Sequence, residues 1–402
     1  MDYKEIETCR VCNSTRLYKY LDLGQVPLAN SLVSDNDTKK QIYPIKLLLC
    51  LDCALSQLSI VVKPELMFTD YVYRSSISKT FRNHCLELAK KLKYFDFKHP
   101  LVMDIASNDG CLLDQFKISG YNRLMGIEPA KNLTTTYFDR QIIVSNNYFS
   151  EKLVRFWDGG KANIITATNV FAHVDDLHDF LRGVKYSLAD DGVFVVEVPY
   201  LNNLLKNNYY DTIYHEHLSY FLLHPLYKLF SMNELPIFRV EHIPIHGGSL
   251  RVYASKNYYP EEVSVVRLLQ DETDAELFES KTYDSFAQKV ESSCGALECL
   301  LQSLFIAGKR VVGYGASAKG ISLLNYSGIK RDWIEYIVDE TPEKIGKFTP
   351  GSKIPIVDFS AFEVNKPDYI LLLAWNFAAE LMSKTEHLNA RYIIPMPEIK
   401  II

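Results

Sequence analysis

From Pro100 to Tyr200 the chain alternates short apolar runs with turn-and-helix segments. No other feature restricts the fold as much. "PLVMDIA" gives way to "NDGCLLDQFKISG", then to "RLMGIEP", "QIIVS", "ANIITATNV" and "GVFVVEVPY". Apolar runs this short, interleaved with helical stretches, predict a parallel α/β sheet. "FRVEHIPI" and "SLRVYAS", joined by the tight "HGGS" turn, predict an antiparallel edge. A second unit repeats the pattern: "KRVVGYG" as a strand, "SAKGISLLNYSG" as turn and helix, then "WIEYIVDE" and "PDYILLLAW" as strands. The stretch between them, about 260–305, reads as helical. Ahead of the first strand, Phe81, Cys85, Leu88, Ala89, Leu92 and Phe95 recur at helical spacing, with Ser78 as the cap.

The 402 residues suit two or three such units. A formal charge of −5 offers no general attraction to nucleic acid or to an anionic membrane. The longest apolar runs are too short to span a bilayer, and "MDYKEIETCR" has no apolar signal core. A cytoplasmic protein is expected. In that reducing setting, Cys9-x-x-Cys12 and Cys50-x-x-Cys53 read as metal ligands rather than disulfides. Two such turns supply four thiolates to a tetrahedral Zn2+, and a small module of short strands and loops would need that ion to hold together. A structural zinc site at Cys9, Cys12, Cys50 and Cys53 follows. Reduced cysteines without a metal are the other reading.

The first strand of the alternating region ends in "MDIASNDG". Asp104 lies on the strand, and the turn Ala106-Ser107-Asn108-Asp109-Gly110 leads into a helix. Glu128 ends the second strand, twenty-four residues after Asp104, where a carboxylate can accept both hydroxyls of a ribose. A dinucleotide turn needs G-x-G-x-x-G for its pyrophosphate. This turn keeps only Gly110 and offers polar side chains, which suits S-adenosylmethionine, a cofactor with an amino-acid tail and no phosphate. Asn169 and His173 would face the mouth of that pocket from the end of the fourth strand. A nucleotide fold with another ligand remains the alternative.

"YHEHLSYF" places Tyr214, His215, Glu216, His217 and Tyr220 together. Alone, the segment fits a polar surface, a partly satisfied core or an acid–base centre. It does not fit a helical zinc site, because His215 and His217 are two apart and no i, i+4 pair is present. Methylating carbon requires removal of a proton next to a carbonyl, by a base that titrates near neutrality, with donors for the enolate oxygen. The segment contains both kinds of group.

These features, taken in order, resemble the sugar C-methyltransferases that act on nucleotide-linked keto-deoxysugars. The likeness runs through the paired cysteine knuckles with "LGQVPLAN", then "YVYRSS", "DIASNDGCLL", "NVFAHVDD", "YHEHLSYF", "GGSLRVY" and "VVGYGASAKG…LLNY…VDETPEKIGKFTPG". It covers nearly the whole chain. It implies a zinc-binding N-terminal module (1–72), a class I methyltransferase Rossmann-like domain (73–256) and a second, C-terminal Rossmann-like domain (257–402). The sugar nucleotide would bind between the last two. The family's base maps onto His217. Glu216 and Tyr214 map onto its acidic and phenolic partners, and His173 and Tyr73 onto two further site groups, with Tyr71 two residues from the latter. His215 has no required role. Where the family has Gly in the first turn, this chain has Ala106. A positive φ there would carry a cost.

Gly313-x-Gly315, with Gly320 further on and Asp339 twenty-four residues after Gly315, by itself resembles a dinucleotide turn with its ribose acid. The resemblance implies instead that this domain helps hold the diphosphate of the sugar nucleotide, with Ser317, Lys319 and Arg251 as contacts. The leading expectation is a C-methyltransferase. A nicotinamide-dependent sugar-nucleotide oxidoreductase, an O-methyltransferase on the same scaffold and a non-catalytic zinc module are the alternatives. Oligomeric state is left open, a monomer being compatible.

Overall fold

The computed structural model describes residues 2–34, 41–69, 71–137, 140–157, 159–256, 259–364 and 366–402. Three units follow one another along the chain. In the first, β1 (Leu17–Pro27), β2 (Ile42–Cys50) and β3 (Ser56–Leu58) pair antiparallel. The sequence predicts only short strands here, yet β1 and β2 run to 11 and 9 residues. Register shifts at Lys19/Leu21 and Asp22/Gln25 break the alternation that would have marked one long ribbon.

The second unit opens with α1 (Lys79–Lys91). The Ser78 hydroxyl accepts from the Phe81 N–H, and Phe81, Cys85, Leu88 and Ala89 are buried, as the periodicity predicts. The alternation then yields β4 (Leu101–Ile105), α2 (Cys111–Ile118), β5 (Arg123–Ile127), β6 (Ile143–Ser145), β7 (Ala162–Thr168), α3 (Leu177–Ser187) and β8 (Leu188–Pro199). A two-residue strand, β9 (Ser219–Tyr220), leaves this sheet, before β10 (Ile237–Ile243) and β11 (Ser249–Ala254) complete it. The seven strands lie in the order β10-β11-β8-β7-β4-β5-β6. β4 to β8 are parallel, and β11 runs antiparallel to both its neighbours. The order reverses between β4 and β7, so a crevice opens at the carboxyl ends of those strands.

Two helices, α4 (Val263–Asp274) and α5 (Ser280–Ile306), lead to the third unit. There β12 (Val311–Tyr314), α6 (Ala318–Tyr326), β13 (Ile337–Val338), β14 (Ile356–Val357), β15 (Tyr369–Leu372), β16 (Arg391–Ile394) and β17 (Lys400–Ile401) build a sheet in the order β14-β13-β12-β15-β16-β17. All its pairs are parallel except β16 with β17. The α/β class and the three-part order therefore match the sequence reading.

The units are joined closely. β9 pairs with β3, so the segment containing the histidines runs directly into the fourth strand of the N-terminal sheet. From α5, Asp284 accepts from the Tyr18 hydroxyl at 2.8 Å and Tyr283 packs on Tyr20, tying the helix to β1. The Tyr326 hydroxyl donates to the Ile213 carbonyl, and Trp375 Nε1 donates to Asp211 at 2.6 Å, bringing the third unit against the "DTIYHEH" segment. Among the described residues, no helix is long and apolar enough to cross a membrane.

Candidate active site

The four cysteines of the two C-x-x-C turns converge. Their sulfurs all lie within 4.8 Å of one another, with Cys9–Cys53 at 3.4 Å and Cys12–Cys50 at 3.5 Å. Each turn closes by the same bond: Asn13 N–H to Cys9 C=O and Ala54 N–H to Cys50 C=O, both 2.9 Å, with Asn13 and Ala54 at positive φ. Two equivalent knuckles presenting four soft donors at these separations fit a tetrahedral Zn2+, whose thiolate ligands sit about 2.3 Å from the metal.

At the mouth of the second sheet, Asp104 is buried and accepts from the Thr166 hydroxyl at 2.6 Å; burial raises its pKa to about 7. Glu128 is also buried. Its two oxygens accept from the N–H groups of Asn108 (2.7 Å) and Ala130 (2.8 Å), leaving each a further lone pair for a ribose. Asn169 has positive φ, and neither of its buried amide atoms has a partner in the protein. Orphaned groups of this kind at a strand end fit a polar ligand, and with Asp104 and Glu128 they fit S-adenosylmethionine.

The turn differs from expectation in detail. Ser107 faces inward, its hydroxyl held by Tyr137 at 2.8 Å. The Asn108 side chain does not stand free for an amino-acid tail. It accepts from Ser75 N–H at 2.9 Å and donates to the Tyr73 carbonyl at 3.1 Å, clamping the 73–77 strap over the pocket. Gly110 takes φ +81°, and a Cβ there would press on Tyr137 and Arg140. Ala106 takes φ +54°. An Ala in this region costs about 1–2 kcal/mol, more than the roughly 0.4–1 kcal/mol of extra chain entropy a Gly brings. Ala106→Gly should therefore raise unfolding stability by about 0.5–1 kcal/mol in urea titrations.

The segment Asp211 to Tyr220 crosses the crevice and brings the histidines together. His217 donates from Nδ1 to the Thr212 carbonyl at 2.7 Å, which fixes the tautomer and leaves Nε2 as the acceptor. The Tyr214 hydroxyl lies 3.1 Å from Nε2. Burial pushes His217 down to about 4, below the near-neutral range expected of the base, and Tyr214 well above the usual phenol range, so near neutral pH one is an uncharged acceptor and the other a donor. The His173 ring stands edge to face with His217, centroids 5.0 Å apart, and its buried Nδ1 has no partner in the protein. NMR of the 15N-histidine-labelled protein checks the electrostatics: His217 should remain neutral from pH 8 to 5.

Glu216 is buried, and burial raises its pKa to about 7. It accepts from Asn30 Nδ2 at 2.6 Å and from the Tyr71 hydroxyl at 3.1 Å. The structure thus sets Tyr71, not Tyr73, on the carboxyl, while Tyr73 lies close enough to act electrostatically on Tyr71 and Tyr214. Asn30 escaped the sequence reading although "VPLAN" was among the matching motifs, because nothing in its spacing points to a residue almost two hundred positions away. His215 also gains a role. Its Nε2 lies 3.3 Å from the Tyr43 carbonyl and its ring packs on Tyr43, anchoring the segment to β2.

Of the three expected substrate contacts, Lys319 stands beside Trp375 and Asp211. Its ammonium stands 5.7 Å from the Trp375 ring and acts electrostatically on His217, His246 and Asp211. Ser317 caps α6 instead, accepting from Gly320 N–H. Arg251 is buried on β11, where it donates to Glu197 at 2.6 Å. The sequence placed it at an edge, but β11 lies between β8 and β10. Trp375, Asp211 and His246 are crevice residues the sequence reading passed over. The glycines of "VVGYGASAKG" have packing reasons, since a Cβ at Gly315 or Gly320 would come 2.6 Å from Ala374 or Leu373. Asp339, the would-be ribose acid, is taken by Ala316 N–H (2.8 Å), Thr341 N–H (2.8 Å) and Lys344 (3.1 Å). Oδ2 is thereby filled and Oδ1 keeps one lone pair, so Asp339 cannot accept both hydroxyls of a nicotinamide ribose as Glu128 can.

Three family profiles match in succession: a zinc-binding domain type over residues 9–68, a methyltransferase domain over 78–236 and a C-methyltransferase C-terminal domain over 244–397. C-methyltransferase NovU of Streptomyces niveus is 35% identical over 412 residues, covering 99% of this chain and 97% of the relative. Solved structures align on less of the chain. PH0226 protein from Pyrococcus horikoshii OT3 has 14% identity and TM-score 0.37 over 48% of this chain and 97% of its own. An S-adenosylmethionine-dependent methyltransferase from Clostridium acetobutylicum has 11% identity and TM-score 0.35 over 43% and 91%. The seven-stranded domain is of the class I methyltransferase type, and the chain belongs to the C-methyltransferase family.

Proposed function

We propose that this enzyme methylates the carbon next to the ketone of a nucleotide-linked keto-deoxysugar, with His217 as the base. The observation that carries the proposal is the hydrogen bond from His217 Nδ1 to the Thr212 carbonyl. It turns an unprotonated Nε2 toward the crevice between the two larger domains. Methylation at carbon needs such a base, and the C-methyltransferase relative agrees with attack by carbon. The sugar nucleotide comes from the motif resemblance.

His217 Nε2 takes the proton from the carbon beside the ketone, and the C–H electrons pass into an enolate. Tyr214, now hydrogen-bonded to Nε2, would donate to the enolate oxygen once substrate displaces that contact. S-Adenosylmethionine, held by Asp104, Glu128 and Asn169, supplies an electrophilic methyl group. Glu216, fixed by Asn30 and Tyr71, and His173 line the same space and orient the sugar. Lys319 offers positive charge from the opposite wall to the substrate's phosphates or oxyanion. The four cysteines hold a structural Zn2+.

The test is mass spectrometry of a panel of keto sugar nucleotides incubated with the methyl donor. The expected product gains one methylene mass, and the gain survives cleavage of ethers. A methyl lost with ether cleavage would mean O-methylation, and no gain on any keto sugar would refute the substrate class.

A further inference from the structure

Arg10 lies between the first two cysteines, yet its side chain turns away from them. Only 3% of that side chain is exposed. Nη1 donates to the carbonyls of Leu58 (3.1 Å) and Leu218 (3.3 Å), and Nε stands 3.5 Å from the Asp175 carboxylate. Leu218 directly follows His217, and Asp175 comes two residues after His173. The backbone on either side of Arg10 reinforces the same junction. Arg10 N–H donates to Gln57 at 3.0 Å, and Val11 C=O accepts from His178 Nε2 at 2.9 Å. Asn233 holds the other nitrogen of His178 at 3.0 Å. The Leu218 carbonyl also accepts from Leu58 N–H at 2.9 Å, so β3 and the guanidinium grip it together.

We propose that Arg10 is a positioning residue that fixes His173 and His217 relative to each other, taking its own place from the cysteine cluster. A guanidinium can serve two carbonyls and a carboxylate at once because its donors diverge in one plane; an ammonium is a point charge and cannot span them. Burying the cation is costly unless it is paired; only Nη1 is hydrogen-bonded, so the two carbonyls and the charge of Asp175 are what hold Arg10 in place. The zinc module thereby reaches the chemistry without touching substrate. The consequence for catalysis rests on His217 being the base; the positioning itself does not.

Arg10→Lys tests it in the full-length, zinc-loaded protein. His217 is faced by Tyr214 and Tyr220 from its own segment, by His173 from the loop after β7 and by Lys319 from the third unit. Its low pKa, about 4, comes chiefly from exclusion of water, so a loosened segment should let it rise toward the free-imidazole value. The expected result is unchanged zinc content and unchanged S-adenosylhomocysteine binding, with the His217 pKa raised in 15N NMR. kcat on the methyl acceptor should fall about tenfold to a hundredfold with KM little altered, the scale of a small misplacement. Asp175→Asn attacks the same link from the His173 side and leaves the knuckle intact, so it decides the matter if the Lys variant misfolds. An unchanged His217 pKa in the variants that fold would overturn the proposal, as would loss of zinc and donor binding together with activity. The NMR arm needs no substrate, so its outcome is independent of whether keto sugars are methylated.

Discussion

His217→Asn should bind S-adenosylhomocysteine as the parent enzyme does and lose methyl transfer by about two to four powers of ten, the usual contribution of a general base. The amide can still donate to the Thr212 carbonyl, so the segment keeps its place, but it has no lone pair of comparable basicity to direct at a C–H bond. Donor affinity should hold because Asp104, Glu128 and Asn169 belong to the ends of β4, β5 and β7, and none of their hydrogen bonds involves His217. Calorimetry with S-adenosylhomocysteine and a labelled-methyl assay separate the two properties. Turnover close to the parent's would remove His217 from the chemistry.

Cys50→Ser should have an effect of similar size by a different route. Structural zinc supplies about 10–16 kcal/mol to small metal-organised folds, so a module losing one thiolate loses its organising ion. The module's sheet includes β9, which contains Ser219 and Tyr220, and the module also provides Tyr43 from β2 and Asn30 and Arg10 from its loops. His215, the Glu216 carboxyl and the carbonyl after the base would all lose their anchors. Metal analysis should show zinc lost from the variant, and activity should drop at least a hundredfold, the scale for loss of a positioned base. Binding of S-adenosylhomocysteine should be far less affected, because the second sheet has its own buried core. A zinc-free variant with full activity would show that the module is dispensable to the site.

Much of this was legible in the sequence because its signals are local. The αβ alternation, the Ser78 cap and the two C-x-x-C turns each declare themselves within a few residues. The same holds for Asp104 and Glu128, which sit at strand ends that periodicity marks. What stayed hidden depends on distance. Asn30 meets Glu216, Trp375 meets Asp211, and Arg10 meets Leu218 only after the three units pack. Arg251 shows the converse. A basic residue in a matching motif reads as a ligand contact, but an antiparallel strand inserted between two others buries it beside Glu197. The glycines near Gly315 mislead in the same way, since close strand–helix packing and phosphate approach both demand a missing Cβ.

The central claim is that an uncharged imidazole starts the reaction at a ketone-activated carbon. Deuterium uptake from D2O into the accepted keto sugar nucleotide, with S-adenosylhomocysteine in place of the donor, tests it without methyl transfer. The parent enzyme should place deuterium on the carbon beside the ketone faster than buffer alone, and His217→Asn should not. Equal uptake by both proteins, or none by the parent while it still transfers methyl, would contradict the account.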